Sequence, residues 1–163
     1  MIPFLEMFPE TFRATVQLRL FGLTKIPLLF FIRPSVVEIG ERRVVVRVRL
    51  RRRTKNHLGA MYFGALAAGA ECAGGLLAMR LILNSGGRVS LVFRSFSAEF
   101  LKRAEGDALF TCEDGEAISR LVRDAMDRGE RVETPVHVTA TVTGASGNEP
   151  VARFTMTLSL KRR

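Results

Sequence analysis

The sequence predicts an α+β fold in which six antiparallel strands wrap around one long apolar helix. Three observations lead to this prediction. The stretch from Ala60 to Met79 is almost wholly apolar and rich in Ala and Gly, as expected of a helix enclosed by a sheet. Two strand-like segments precede this stretch and four follow it. The composition, 47% hydrophobic and 25% charged over 163 residues, indicates one globular domain with a core.

The N-terminal part of the chain is predicted to form a helix from Pro9 to Thr24, with Pro27 as the stop signal. Apolar residues recur there at helical spacing, namely Phe12, Val16, Leu20 and Leu23. We expect residues 1–27 to pack as a helical flap on a core formed by residues 28–163.

Two strands of a hairpin are predicted next, Leu28 to Ile39 and Arg42 to Arg51, joined by a Gly-Glu turn. In the second strand valines alternate with arginines, so one face is predicted to be buried and the other largely basic. A loop from Arg52 to Gly59 then leads into the long helix, which is expected to end near Leu83.

The remainder of the chain is predicted to form two strands, a short amphipathic helix and a final hairpin. The strands are Val89–Lys102, Asp107–Cys112, Arg131–Thr143 and Pro150–Leu160, the helix runs around Ile118 to Met126, and the last turn is Gly144–Asn148.

The net charge of +9 raises the question of an anionic partner. Eight of the 25 basic residues fall between Arg42 and Lys55. Nucleic acid, acidic lipid and a phosphate-bearing ligand would all suit this cluster, whereas its simplest interpretation is a solvated sheet face. The cluster lacks the aromatic residues expected of an RNA or single-strand platform, so no nucleic acid partner is predicted.

The cysteines and the first ten residues give no indication of a metal site or a signal peptide. Cys72 and Cys112 are the only cysteines and form no metal-ligand pattern, so we predict no metal and no cofactor, and expect both in the core. The first ten residues lack a basic start and contain Pro3 and Pro9, so no signal peptide is predicted and a cytoplasmic protein is expected. The apolar stretch has the length of a membrane span, but its central Glu argues against one.

Glu71 is the only charged residue between Lys55 and Arg80. On a helix its neighbours three, four and seven positions away would all be small, namely Gly64, Ala67, Ala68, Gly74, Gly75 and Ala78. Burying a carboxylate costs several kcal/mol, so a fold retains one with a hydrogen-bond partner, a raised pKa or a function. Glu71 is therefore a candidate catalytic residue, and the alternative is a buried carboxylate satisfied by the backbone or by Asn56.

Two sequence motifs resemble those of acyl-CoA thioesterases with the hotdog fold, in particular the phenylacetate-pathway type and its relatives of unassigned function. The first is NHLGAMYFG, from Asn56 to Gly64, leading to Glu71; the second is FLKRAEGD, from Phe100 to Asp107. With the order of elements, the resemblance covers about residues 28 to 160 and implies a hotdog fold.

The resemblance also implies roles for individual residues. In that family an acid on the central helix acts as general base or nucleophile, which here is Glu71. A backbone N–H at the helix start polarises the thioester carbonyl, and the matching residues are Phe63 and Gly64. The family's upstream Asn falls on Asn56. Substrate contacts are then expected near three further residues of this segment, His57, Gly59 and Tyr62.

The family works as a dimer or tetramer with its active site at a subunit interface, so the resemblance implies a homo-oligomer. Basic surface residues hold the coenzyme A phosphates in that family, and the candidates here are Arg94, Lys102 and Arg103. The segment Pro27 to Ile32 is either part of an acyl pocket or core packing.

Other functions stay open at this point. A non-catalytic acyl-CoA or acyl-carrier binding protein would result if Phe63 blocked the attack of water. A hotdog dehydratase would pair an acid with a histidine, for which His57 is available.

Overall fold

The computed structural model describes residues 7–86, 88–144 and 149–163 of the chain. The helices in these ranges are α1 Glu10–Lys25, α2 Pro27–Ile32, α3 Phe63–Asn84 and α4 Gly115–Arg128. The strands are β1 Ser35–Ile39, β2 Val44–Val48, β3 Val89–Phe100, β4 Ala108–Cys112, β5 Val132–Val142 and β6 Pro150–Arg162. Most of the predicted turn at Gly144–Asn148, and residues 1–6 of the predicted flap, lie outside the described residues.

The strands form one antiparallel sheet in the order β1-β2-β4-β5-β6-β3. The sheet wraps around α3, and Ala70, Ala73 and Leu77 on this helix are fully buried. Phe110 of β4 and Phe154 of β6 fill the space between helix and sheet. The predicted α+β fold, a six-stranded antiparallel sheet around a long central helix, is therefore confirmed.

α3 contains the predicted apolar stretch but begins at Phe63 rather than near Ala60. The preceding residues are extended because the Met61 N–H donates to the carbonyl oxygen of Ala104 at 2.8 Å. By length and composition α3 could span a membrane, yet 61% of its most apolar window is buried inside the fold. This is the setting of the core helix of a soluble protein, and a cytoplasmic location stays a prediction.

The strand predicted from Leu28 to Ile39 is wrong in its first part, because residues 27–32 form the helix α2. Pro27 occupies the first turn of α2, where its fixed φ suits a helix and its missing N–H costs nothing. Arg33 ends the helix in the left-handed conformation, with φ 51°. A short apolar run does not distinguish helix from strand by its periodicity, which explains the error.

The N-terminal helices are part of the packed structure. Ala14 and Leu18 of α1 are buried in the same core as α3. α1 and α2 approach so closely that a Cβ on Gly22 would lie 2.6 Å from the Phe30 backbone nitrogen. Gly22 therefore permits the tight turn between the two helices.

The two edges of the sheet differ. The β1 edge is covered by α1, since the Val36 N–H donates to Thr15 Oγ1 at 2.8 Å, and β1 carries a bulge at Val37. β3 pairs with β6 along its whole length and has no described strand on its other side. The β3 edge is thus long and unpaired among the described residues.

Both cysteines lie in the core, as expected. Cys72 and Cys112 are free and buried. Burial raises the pKa of both thiols, that of Cys112 to about 11. A thiol with a raised pKa is a poor nucleophile near neutral pH, which agrees with a packing role.

Candidate functional site

Glu71 lies in a surface groove of about 310 Å³ between α3, α2 and the β3–β6 part of the sheet. Among the residues that the structure describes, it is the one charged residue of the groove wall. The lining residues are Leu28, Gly64, Ala67, Ala68, Glu71, Phe93, Phe96 and Met156. Three of the small residues predicted around Glu71 thus form the floor of the groove.

The other predicted neighbours of Glu71 do not line the groove. Gly74 and Ala78 are buried against the sheet, and a Cβ on Gly75 would lie 3.7 Å from the Phe93 ring. The groove therefore follows only the N-terminal half of α3, which leads from Glu71 toward the start of the helix.

The Glu71 carboxylate has no hydrogen bond or ion pair to any residue that the structure describes. It is partly buried, and this burial raises the pKa of Glu71 above the ordinary value of 4.5. A carboxylate in an apolar groove without a partner is a stronger base than one in water. No hydrogen bond joins Glu71 to Asn56, so the structure does not support the alternative of a structural carboxylate held by Asn56.

The first turn of α3 offers two backbone donors. The N–H groups of Ala65 and Leu66 donate to the carbonyl oxygen of Tyr62, at 2.9 and 3.1 Å. Those of Phe63 and Gly64 have no acceptor among the described residues, as is usual for the first residues of a helix. Gly64 lines the groove, so the positive end of the helix lies at the same groove as Glu71.

Along α3, Gly64 and Glu71 are seven residues apart, which corresponds to about 10 Å of helix axis. One glutamate side chain does not span this distance. Within one subunit, the Gly64 amide and the Glu71 carboxylate therefore do not converge on a single carbonyl group.

Asn56 organises its own loop. Its Oδ1 accepts hydrogen bonds from the backbone N–H groups of Leu58, at 2.9 Å, and Ala60, at 3.2 Å. Gly59 has φ +84°, a conformation that favours glycine, and it is exposed. His57 is also exposed, and neither it nor Asn56 lines the groove. The structure thus places these three residues in a loop before the helix, away from Glu71.

Tyr62 and Phe63 form an exposed aromatic pair at the helix start, with ring centroids 4.6 Å apart. The Phe63 ring packs edge-on near the Phe100 ring, with 6.4 Å between the ring centroids, and Phe63 does not line the groove. A Cβ on Gly64 would lie 2.5 Å from the Tyr62 ring, so this ring covers Gly64. Of the two aromatics, Tyr62 is the one beside the groove.

The three predicted phosphate-binding residues differ in their partners. Arg94 donates to Glu133 Oε2 at 2.6 Å, and Lys102 pairs with Glu149. Arg103 is exposed and forms no ion pair within the described residues. Only Arg103 presents its charge to solvent without a carboxylate partner.

Several groove residues have no counterpart in the sequence-based predictions, namely Phe93, Phe96 and Met156. Phe93 and Phe96 are three residues apart, which is incompatible with one face of a regular strand. The β3 ladder has a bulge between Phe93 and Ser95 that restores the alternation and turns both rings toward α3. A bulge of this kind leaves no clear signal in a single sequence.

Comparison with known proteins places the chain in a family. The sequence profile described as "Domain of unknown function (DUF4442)" matches residues 15–160. No curated protein shows significant similarity to the chain.

Solved structures share the fold over most of the chain. A Pseudomonas aeruginosa protein of unknown function, called a probable thioesterase, is 26% identical; the match covers 91% of this chain and 96% of that chain, with a TM-score of 0.74. A Haemophilus influenzae thioesterase is 15% identical, with 88% of each chain covered and a TM-score of 0.63. A Chlorobaculum tepidum protein of unknown function is 12% identical, covering 94% of this chain and 97% of that chain, with a TM-score of 0.77.

These similarities agree with the resemblance that the two motifs indicate, and the assignment to the hotdog-fold thioesterase superfamily is confirmed. The family profile spans β1 to β5, most of β6, and α2 to α4. The chain is therefore a hotdog-fold protein that belongs to the DUF4442 family.

Proposed function

We propose that this protein is a thioesterase that hydrolyses an acyl-coenzyme A, with Glu71 as general base or nucleophile. The observation that carries the proposal is the Glu71 carboxylate, which has no partner among the described residues, in an apolar groove that leads to the N-terminus of α3. The Pseudomonas protein called a probable thioesterase and the Haemophilus thioesterase support the reaction class.

The groove suits the steps of thioester hydrolysis. With Glu71 as base, the carboxylate takes a proton from water while the water oxygen bonds to the thioester carbon. An amide N–H of Phe63 or Gly64 at the helix start of a second subunit stabilises the negative charge on the carbonyl oxygen. The C–S bond then breaks, the thiolate takes the proton from Glu71, and a carboxylic acid and a thiol leave. With Glu71 as nucleophile, a carboxylate oxygen bonds to the thioester carbon and the C–S bond breaks, so that the thiolate leaves and takes up a proton while a mixed anhydride remains on Glu71. Water then hydrolyses this anhydride, which releases the carboxylic acid and regenerates Glu71.

The walls of the groove suit an acyl group. Leu28, Phe93 and Phe96 contribute apolar surface on both sides of Glu71. Leu28 belongs to the segment Pro27 to Ile32, for which the sequence allows either an acyl pocket or core packing. The Leu28 side chain is exposed. The acyl chain would lie between α2 and β3. The coenzyme A phosphates would bind at the surface. Of the three basic candidates, Arg103 is the one without an ion-pair partner among the described residues.

A homodimer would complete this site. The Gly64 amide and the Glu71 carboxylate of one subunit are too far apart for one carbonyl group, so a second subunit would bring its own helix start toward Glu71. The β3 edge, which lines the groove through Phe93 and Phe96, is the unpaired edge available for such contact.

The test is thiol release from short, long and aromatic acyl-CoAs by the protein and by Glu71→Gln. Loss of the base or nucleophile should lower the rate about a hundredfold or more while the circular dichroism spectrum is retained. Glu130→Gln, at an exposed position outside the groove, is the matched control and should retain full activity. Acyl-CoA binding without turnover by the unmodified protein would instead identify a non-catalytic binding protein.

A further inference from the structure

A second and larger cavity, of about 1010 Å³, lies between α1, α2 and the loop that follows β2. Six arginines from three separate parts of the chain line it, and no Asp or Glu of the described residues does. They are Arg19, Arg33, Arg49, Arg51, Arg52 and Arg53. Four members of the basic cluster of the sequence, all of them exposed to solvent, thus converge with Arg19 and Arg33 on one concave surface.

None of these arginines forms an ion pair with a carboxylate of the described residues. Arg42 and Arg43, close by in sequence, pair with Glu116, Glu38 and Glu113 instead. Burial, with the charges of Arg33 and Arg49, lowers the pKa of Arg19. The cavity therefore holds positive charge that the rest of the fold does not neutralise.

The arginines are held in place by the backbone around them. Arg19 Nε donates to the Pro34 carbonyl oxygen at 3.0 Å. Arg53 Nη1 donates to the Phe31 carbonyl oxygen at 3.3 Å, and the Arg53 guanidinium lies 5.7 Å from the centre of the Phe31 ring. These contacts fix two of the six guanidinium groups at the cavity wall.

The loop itself is organised by Thr54, which is 1% exposed. Its hydroxyl donates to the Arg49 carbonyl oxygen at 2.8 Å and accepts from the Arg51 N–H at 2.8 Å. This buried hydroxyl closes the turn that carries three consecutive arginines. The charges are consequently presented by an ordered turn rather than by a loose loop.

Like charges gathered in a cavity repel one another, and an anion with several charges relieves this repulsion. Guanidinium groups match the geometry of phosphate oxygens and bind them with paired hydrogen bonds. The volume is that of a small-molecule site. We propose that this cavity binds a ligand that carries clustered phosphate groups. The proposal is independent of the thioesterase activity, because the cavity is lined by other residues than the Glu71 groove.

Calorimetric titration with inorganic tripolyphosphate at low ionic strength tests the proposal. The double variant Arg49→Gln/Arg51→Gln should weaken binding at least about tenfold, since it removes two charged donors. Arg120→Gln/Arg123→Gln removes the same net charge from exposed positions of α4 and should leave binding within about twofold. Unfolding midpoints of both variants check that the fold is retained.

The same variants distinguish the source of the phosphate. Co-sedimentation with phosphatidic acid vesicles that depends on Arg49 and Arg51 would assign a lipid headgroup as the ligand. Binding of tripolyphosphate without vesicle binding would assign a soluble phosphorylated molecule. Absence of both, or an equal loss of binding in the two double variants, would overturn the proposal.

Discussion

The Glu71 carboxylate lies partly buried without a hydrogen-bond partner among the described residues, and its environment is apolar. Burial stabilises the protonated form, which raises the pKa of this group in the folded state above its value in the unfolded chain. Ionised Glu71 therefore lowers the stability of the fold. A residue retained at such a cost is expected to have a function, which is one basis for the role of Glu71 in the proposed hydrolysis.

Glu71→Gln is expected to stabilise the fold at pH 8. The folded-state pKa is raised, so the unmodified protein loses stability as the pH rises from the ordinary pKa of 4.5 through the folded-state pKa. The amide does not titrate, so the stability gain should be complete above that range and disappear near pH 4. Urea unfolding at both pH values measures it. An equal difference at the two pH values, or a less stable variant at pH 8, would contradict the expectation.

At the scale of the element, α3 owes its position to small residues. It has no β-branched residue before Ile82, and its Ala and Gly residues let the sheet approach the helix backbone. Gly69 is the closest approach, because a Cβ there would lie 2.3 Å from the fully buried Phe110 ring. Gly75, six positions further on, faces Phe93 at an ordinary contact distance of 3.7 Å.

Gly69→Ala and Gly75→Ala should therefore change stability in opposite directions. Phe110 is enclosed and cannot move aside, so we expect Gly69→Ala to destabilise the fold by about 1–3 kcal/mol. Gly75→Ala replaces glycine within a helix without a clash and should stabilise by up to about 1 kcal/mol. Urea unfolding followed by circular dichroism compares the two. Equal effects would mean that α3 does not pack on Phe110 as described.

At the scale of the whole molecule, the two sheet edges have different surroundings. α1 covers the outer edge of β1, and β1 also carries a bulge at Val37. One side of β3, in contrast, is unpaired among the described residues. The neighbouring surface exposes Phe96 and Phe100, which are 44% and 49% exposed. A long strand edge beside exposed aromatics is a favourable site for association with another chain.

Association through β3 should give a particle of about twice 18.1 kDa in sedimentation equilibrium. Backbone N–H groups of β3 that face away from β6 would then be protected from hydrogen exchange, and dilution should remove this protection. The amides of β1 serve as the internal control, because α1 already covers that edge. A monomeric mass at all concentrations, with rapid exchange along β3, would exclude the dimer.

Much of the fold follows from local patterns in the sequence. The alternating strands and the amphipathic α4 are visible as periods in the chain and α3 as one long apolar stretch, and the order of these elements predicts the sheet. α2 is the exception, because the run after Pro27 is too short and too uniformly apolar to have a period. The apolar stretch around Glu71 predicts this residue as a site residue, the family resemblance adds Gly64, and the structure places both in one groove.

What the sequence determined by itself is the set of elements apart from α2, together with the isolated carboxylate, since these depend on residues near one another in the chain. Only the tertiary structure decided what surrounds them. The bulge at Arg94 turns Phe93 and Phe96 toward Glu71, and packing of α1 brings Arg19 to the turn held by Thr54. Grooves and cavities form between segments distant in sequence, and the free energy of packing that joins those segments leaves no periodic signal in either one.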